Sequence, residues 1–122
     1  MVKIKTICFD IDGIICTNNN NDNDNDYIKS KPIEKNIKII NKLYNNGFVI
    51  IIFTGRYMGR NNNNIAKAKK QGLKLTKLQL RKWKVKYNKL FMGKPSYDLF
   101  VDDKSIFFKK NWVSNLKKKC LE

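Results

Sequence analysis

The sequence predicts a three-layer α/β sandwich with a Rossmann-like, mainly parallel sheet, formed by a single domain over residues 1–122. The continuous apolar run Phe48–Phe53 is typical of a central parallel strand that is covered on both faces. The segment before it has apolar residues at helical spacing from Ile33 to Tyr44, and Val2–Phe9 has the pattern of an earlier strand. This β-α-β order places the ends of both strands at the same edge of the sheet.

The helices are predicted from turn and capping signals. The first is expected to end near Gly47, and a second to begin within Asn61–Asn64 and end at Gly72. The capping-box spacing of Thr76–Gln79 predicts the start of a third helix. Asn111 is expected to cap a C-terminal helix.

Two further strands and one loop complete the prediction. Short apolar segments predict strands at Lys89–Met92 and Asp98–Val101. Asn18–Asp26 has no apolar residue to bury, so a mobile loop is expected there, within a flexible flap at about 16–31. No stretch is long enough for a separate cap domain.

Composition restricts the chemistry. The chain has no histidine, which excludes Ser-His and Cys-His catalysis, and its three cysteines are expected to be reduced thiols. No apolar run approaches the length of a membrane span and no signal-peptide pattern is present, so a cytoplasmic protein is expected.

The net charge is +16, and the region 27–97 has 18 Lys and Arg against one acid. This bias is interpreted either as a solvated, compositionally lysine-rich surface or as attraction of an anion, whether a phosphorylated metabolite or nucleic acid.

Three polar clusters each follow a predicted strand: Asp10-x-Asp12, Thr54, and Asp102-Asp103. Ligands of open α/β sheets bind at these carboxyl ends. Four of only ten acids are found there although close carboxylates repel each other, and a divalent cation would relieve that repulsion. Hard oxygen ligands favour Mg²⁺.

Four motifs resemble those of the haloacid dehalogenase superfamily of phosphatases, in the family's order and over nearly the whole chain: ICFDIDG, FTGR, GKP and LFVDD. The resemblance implies an Mg²⁺-dependent phosphomonoester hydrolase. Asp10 would be the nucleophile that forms an aspartyl-phosphate, and Asp12 the general acid and base. In the metal site, Asp10 and Asp102 would be direct Mg²⁺ ligands and Asp12 would contribute its backbone carbonyl. Asp103 would help through water or by orientation.

The resemblance also implies phosphate contacts. Thr54 and the Gly55 amide would hold phosphate oxygens. Lys94 would neutralise the charge during displacement, although Lys104 is close enough in sequence to take that role.

Small capless relatives of surface-polysaccharide pathways are similar in size, which implies a phosphorylated sugar or polyol as the substrate and a homo-oligomer. Arg56, Tyr57 and Arg60 are the candidate substrate contacts. The alternatives are a polynucleotide phosphatase and a non-catalytic nucleic-acid-binding protein of this fold.

Overall fold

The computed structural model describes residues 4–18, 20–21, 24–25 and 27–122. It is an α/β structure with a parallel sheet and, in this part of the chain, three α-helices. The elements in chain order are β1 (Thr6–Phe9), β2 (Asn20–Asn21), β3 (Asp24–Asn25), α1 (Glu34–Asn45), β4 (Val49–Thr54), α2 (Ile65–Lys82), β5 (Lys89–Met92) and α3 (Trp112–Cys120).

Strand β4 is the centre of the main sheet, as its apolar sequence predicts. It pairs in parallel with β1 on one side and with β5 on the other. In the register, Phe9 is opposite Ile52 and Met92 is opposite Thr54. The three strands therefore end at a common edge, where Asp10 follows β1 and Thr54 ends β4.

The core lies between this sheet and the helices. Helix α1 has an apolar stripe at helical spacing, and its residues Ile37, Ile40 and Leu43 are buried with Ile50 and Ile52 of β4. The predicted first helix and the strands at Phe48–Phe53 and Lys89–Met92 are confirmed, with ends shifted by one or a few residues.

The two helices predicted around Gly72 and Thr76 form one continuous helix, α2, so the predicted break at Gly72 is wrong. Gly72 is buried against the ring of Tyr57, with which any β-carbon at this position would overlap. Glycine is required there by close packing and does not end the helix. Thr76 and Gln79 are likewise buried in the helix and bond other partners, so they form no capping box.

The predicted strand at Asp98–Val101 is absent from the structure. Leu99 is 82% exposed and Val101 is 88% exposed. In the described part of the chain β1 pairs with β4 alone, so this segment has no strand beside it. An apolar run forms a strand only where a neighbour satisfies its backbone groups.

Other boundaries differ in smaller ways. Strand β1 begins at Thr6, and the first residues of the predicted strand, 1–3, lie outside the described residues. Asn111 occupies the N-cap position of α3 but its side chain forms no capping hydrogen bond. No helix in the described ranges is long and apolar enough to cross a membrane.

The segment predicted as a flexible flap is anchored at both ends. The Thr17 amide donates to the Lys31 carbonyl at 2.8 Å, and Cys16 forms isolated bridges with Asp12 and Pro32. Within it β2 pairs antiparallel with β3, while residues 19, 22, 23 and 26 of the predicted loop lie outside the description. Tyr27 is buried at the start of a short 3₁₀ turn.

Candidate functional site

A tight turn follows β1 and presents the first two aspartates. The carbonyl of Ile11 accepts hydrogen bonds from the amides of Ile14, Ile15 and Cys16. Gly13 has φ +90, a left-handed conformation in which other residues would be strained. The D-x-D-G pattern is therefore a turn that buries Ile11 and leaves the carboxylates on either side of it partly exposed.

Asp10 lies next to Lys94, which is 84 residues away in sequence. Lys94 Nζ is 3.2 Å from Asp10 Oδ2, and the Ile11 amide donates to Asp10 Oδ1 at 2.8 Å. Burial raises the pKa of the Asp10 carboxyl above its ordinary value, and the charge of Lys94 partly offsets that rise. Of the two lysines that the sequence left open, Lys94 is the one that contacts Asp10.

Close backbone packing positions Lys94. Its amide donates to the Thr54 carbonyl at 3.1 Å, and a β-carbon at Gly55 would lie 2.9 Å from its carbonyl oxygen. The glycine of the FTGR motif thus lets the loop after β4 approach the loop after β5. The pKa of Lys94 is raised, because hydrogen bonding with Tyr97 and the charge of Asp10 together outweigh its burial.

Thr54 is fully buried at the end of β4. Its hydroxyl oxygen accepts a hydrogen bond from the Arg56 amide at 3.2 Å, so the side chain shapes the loop after the strand.

Asp12 is held by a buried arginine. Arg56 Nε lies 3.0 Å from Asp12 Oδ2, and Arg56 Nη2 lies 3.0 Å from Asp12 Oδ1. This is a two-pronged contact in which each carboxylate oxygen accepts from a different nitrogen. The arginine side chain is 0% exposed and the aspartate side chain is 18% exposed.

The rest of the Arg56 guanidinium is also bonded. Nη1 donates to Gln79 Oε1 and, at 3.5 Å, to Thr76 Oγ1, both on α2. The ring of Tyr27 lies 4.7 Å from the guanidinium carbon. Burial lowers the pKa of Arg56, but the hydrogen bonds and charge of Asp12 raise it more, so the group remains a cation.

Tyr57 and Arg60 form an aromatic and cationic cluster beside this pair. The Tyr57 and Tyr27 rings are 4.8 Å apart, and the Arg60 guanidinium lies 4.8 Å from the Tyr57 ring centre. Tyr57 has φ +66, a strained conformation for a tyrosine, and its ring packs on Gly72.

Sequence reasoning missed three residues of this site: Tyr27, Thr76 and Gln79. Tyr27 follows a polar tract, and the two α2 residues have the spacing of a capping box. The available signal was a pair of polar residues on the same helix face as Gly72, the face that is buried.

Asp102 and Asp103 lie in the exposed segment that forms no strand. Asp102 Oδ1 accepts a hydrogen bond from the nearby Lys104 amide at 3.0 Å. Within the ranges that the structure describes, no group of three or more acidic, cysteine or histidine side chains is placed to hold a metal ion. The Asp10 and Asp12 carboxylates are instead paired with Lys94 and Arg56.

The fold has a solved counterpart. The chain is similar to a crystal structure described as an MCSG target from Vibrio cholerae, with a TM-score of 0.74 and 24% sequence identity over 94% of this chain and 98% of that one. At this identity the likeness shows the fold alone. No family model matches the chain, and no curated protein matches it.

Proposed function

We propose that this protein is a phosphomonoester hydrolase of the haloacid dehalogenase type, acting through an aspartyl-phosphate on Asp10. The observation that carries the proposal is the contact between Asp10 and Lys94. These residues come from two separate motifs of the proposed family, and a nucleophilic carboxylate beside a cation is what attack on a phosphate dianion requires.

In the proposed reaction Asp10 attacks phosphorus, and a bond forms between its oxygen and the phosphorus as the ester P–O bond breaks. Asp12, which carries a proton at the start of the proposed cycle, gives it to the leaving oxygen and is left as the carboxylate that Arg56 holds. Water then attacks the aspartyl-phosphate while Asp12 takes the water's proton, which frees phosphate and restores Asp10. The Lys94 ammonium neutralises charge on the transferred group, and the Gly55 amide is proposed to donate to it.

Magnesium is part of the proposal on the sequence pattern alone. Since no group of three or more acidic, cysteine or histidine side chains in the described ranges is placed to hold a metal ion, no step above runs through a metal. The Mg²⁺ requirement is tested by comparing rates in Mg²⁺ and in EDTA.

The proposed substrate is a phosphorylated sugar or polyol of surface-polysaccharide synthesis, in the cytoplasm. Arg60 and Tyr57 support a small polar substrate, since the Arg60 guanidinium and the Tyr57 ring form a cationic and aromatic cluster in the segment after β4. We also propose a homo-oligomer. Apolar side chains that are more than half exposed support it: Leu99, Phe100, Val101, Phe107 and Phe108.

A second candidate is a phosphatase that acts on polynucleotide ends. Helix α2 has no acidic residue and presents Lys67, Lys70, Lys74 and Lys77 on one exposed face, opposite its buried stripe. A bound polyanion would relieve the repulsion between these like charges.

The first experiment is phosphate release from sugar, polyol, nucleotide and oligonucleotide phosphates, by the wild type and by Asp10→Asn. Activity that requires Asp10 supports the proposed chemistry, and the substrate panel separates the two candidates. No release from any substrate would contradict both.

The second candidate has its own test with a matched control. Changing Lys67, Lys70 and Lys74 to Gln should weaken oligonucleotide binding and flatten its salt dependence by about two units of slope, at roughly 0.7 per lost phosphate contact. The control changes Lys35, Lys38 and Lys42 of α1, which are exposed with the same spacing. Equal effects from both sets would show non-specific attraction.

A further inference from the structure

We propose that Arg56 is a positioning residue, whose guanidinium sets the orientation of the Asp12 carboxylate for proton transfer. This inference rests on the proposed function and assigns Arg56 a role different from the substrate contact suggested by its motif. It depends on geometry: the two-pronged contact between the side chains, the enclosure of the arginine, and the number of chain segments that hold it.

The enclosure prevents Arg56 from reaching a substrate. Its side chain has no exposed surface. Each of its three nitrogens already has an oxygen acceptor, and the Tyr27 ring covers one face. The contact that remains to be explained is the one with Asp12, which is the partly exposed member of the pair.

The two-pronged contact restricts how Asp12 can point. A single hydrogen bond would let the carboxylate rotate, whereas two parallel bonds fix the plane of the carboxylate relative to the guanidinium. Proton transfer to a leaving oxygen depends steeply on this placement, since an error of about 1 Å can cost about 100-fold in rate.

Four chain segments meet at the arginine, its own loop and three others. Arg56 comes from the loop after β4, Asp12 from the turn after β1, and Thr76 and Gln79 from α2. Gln79 also donates through Nε2 to the Tyr27 carbonyl, which ties in the segment after the Asn-rich tract. A buried charge is a poor source of stability compared with apolar packing, so this arrangement is better explained by the orientation of Asp12.

The test is Arg56→Lys, which keeps the positive charge and loses the planar fork. Two substrates are compared by kcat/KM: an alkyl phosphate, whose leaving oxygen needs a proton, and p-nitrophenyl phosphate, whose leaving group does not. We expect kcat/KM to fall about 100-fold for the alkyl ester and less than about tenfold for the aryl ester. Arg81→Lys, an exposed change on α2, is the matched control and should alter neither.

If Arg56 had a purely structural role, Arg56→Lys would lower kcat/KM for both substrates by the same factor. That result would overturn the proposal. A cycle with Asp12→Asn sharpens the test: in that background Arg56→Lys should cost nothing further on the alkyl ester, and a full additional loss would also overturn it. If Arg56→Lys does not fold, Gln79→Met, which removes one acceptor of the guanidinium, should show the same substrate selectivity in weaker form. If the wild type hydrolyses neither ester and Asp10→Asn is indistinguishable from it, the proposed function itself has failed.

Discussion

Asp10 is a carboxylate that the fold removes in part from water. Burial raises its pKa, so the ionised form is less favourable in the folded chain than in the unfolded chain. The contribution of Asp10 to the free energy of unfolding therefore falls as the pH rises from the unfolded-state pKa to the folded-state pKa. A loss of stability at the proposed nucleophile would be an example of the trade-off between stability and activity.

Asp10→Asn is predicted to abolish turnover and to leave the melting temperature at neutral pH unchanged or higher. The amide keeps the shape of the side chain without the charge that burial disfavours. Calorimetry of both proteins from about pH 3 to neutral should show that the stability advantage of Asn grows as the pH rises. An advantage that shrinks over this range would contradict the raised pKa, and retained turnover would contradict the assigned nucleophile.

Cys16 is predicted to be the last cysteine to react with a thiol reagent. It has no exposed surface, and burial, followed by the charge of Asp12, raises its pKa to about 12. Cys8 is exposed, although partial burial raises its pKa as well. Mass spectrometry during alkylation should show Cys8 modified first in the native protein and all three cysteines modified in urea. Equal native rates at Cys8 and Cys16 would contradict the buried turn.

At the scale of elements, α2 shows that local sequence patterns do not always predict where a helix begins and ends. Gly72 and the Thr76–Gln79 spacing have the local chemistry of a helix end and a helix start. The helix continues because the Tyr57 ring packs against Gly72 and the Arg56 guanidinium donates a hydrogen bond to Gln79. Both partners are distant in sequence, so the local pattern within α2 does not identify them.

Gly72→Ala is predicted to destabilise the protein by about 1–3 kcal/mol because the methyl group overlaps the Tyr57 ring. Helix propensity alone would instead give a gain of about 1 kcal/mol. Urea unfolding measures the difference. The matched control is Gly59→Ala, where a β-carbon would lie 3.4 Å from the Ser96 hydroxyl and should cost little.

A second background tests the cause of that loss. Tyr57→Asn removes the ring and is compatible with the left-handed backbone at this position. In this background Gly72→Ala should become neutral or stabilising. A cost that persists would mean that the ring is not its source.

At the scale of the whole molecule, parallel topology is what made the site predictable. Asp10 follows β1 and Thr54 ends β4, and strands that run in one direction bring their ends together. Lys94 was expected from the family motif and not from the strand order. The pairing of Asp12 with Arg56 was not predictable, since it depends on the side-chain direction of a loop residue. The placement of Asp102 and Asp103 after a fourth strand was an extrapolation from an apolar run that the structure leaves without a neighbour.

The exposed apolar residues between Leu99 and Phe108 lead to a prediction about assembly. Changing Phe107 and Phe108 to Ser should shift the molar mass measured by light scattering toward that of a monomer, because both rings are more than half exposed. Tyr44→Ser on α1, a partly buried residue outside this segment, is the comparison. A monomeric wild type would contradict the proposed homo-oligomer.

The convergence of four segments on one guanidinium also has a consequence for how the chain opens. Four segments share hydrogen-bond partners here: the turn after β1, the loop after β4, the C-terminal part of α2 and the turn at Tyr27. None can separate without leaving a buried polar group unbonded. Local fluctuations that expose amides in one segment should expose amides in the others at the same free energy. In hydrogen exchange these stretches should behave as one cooperative unit, so the pairing of Asp12 with Arg56 should be lost only when all of them open together.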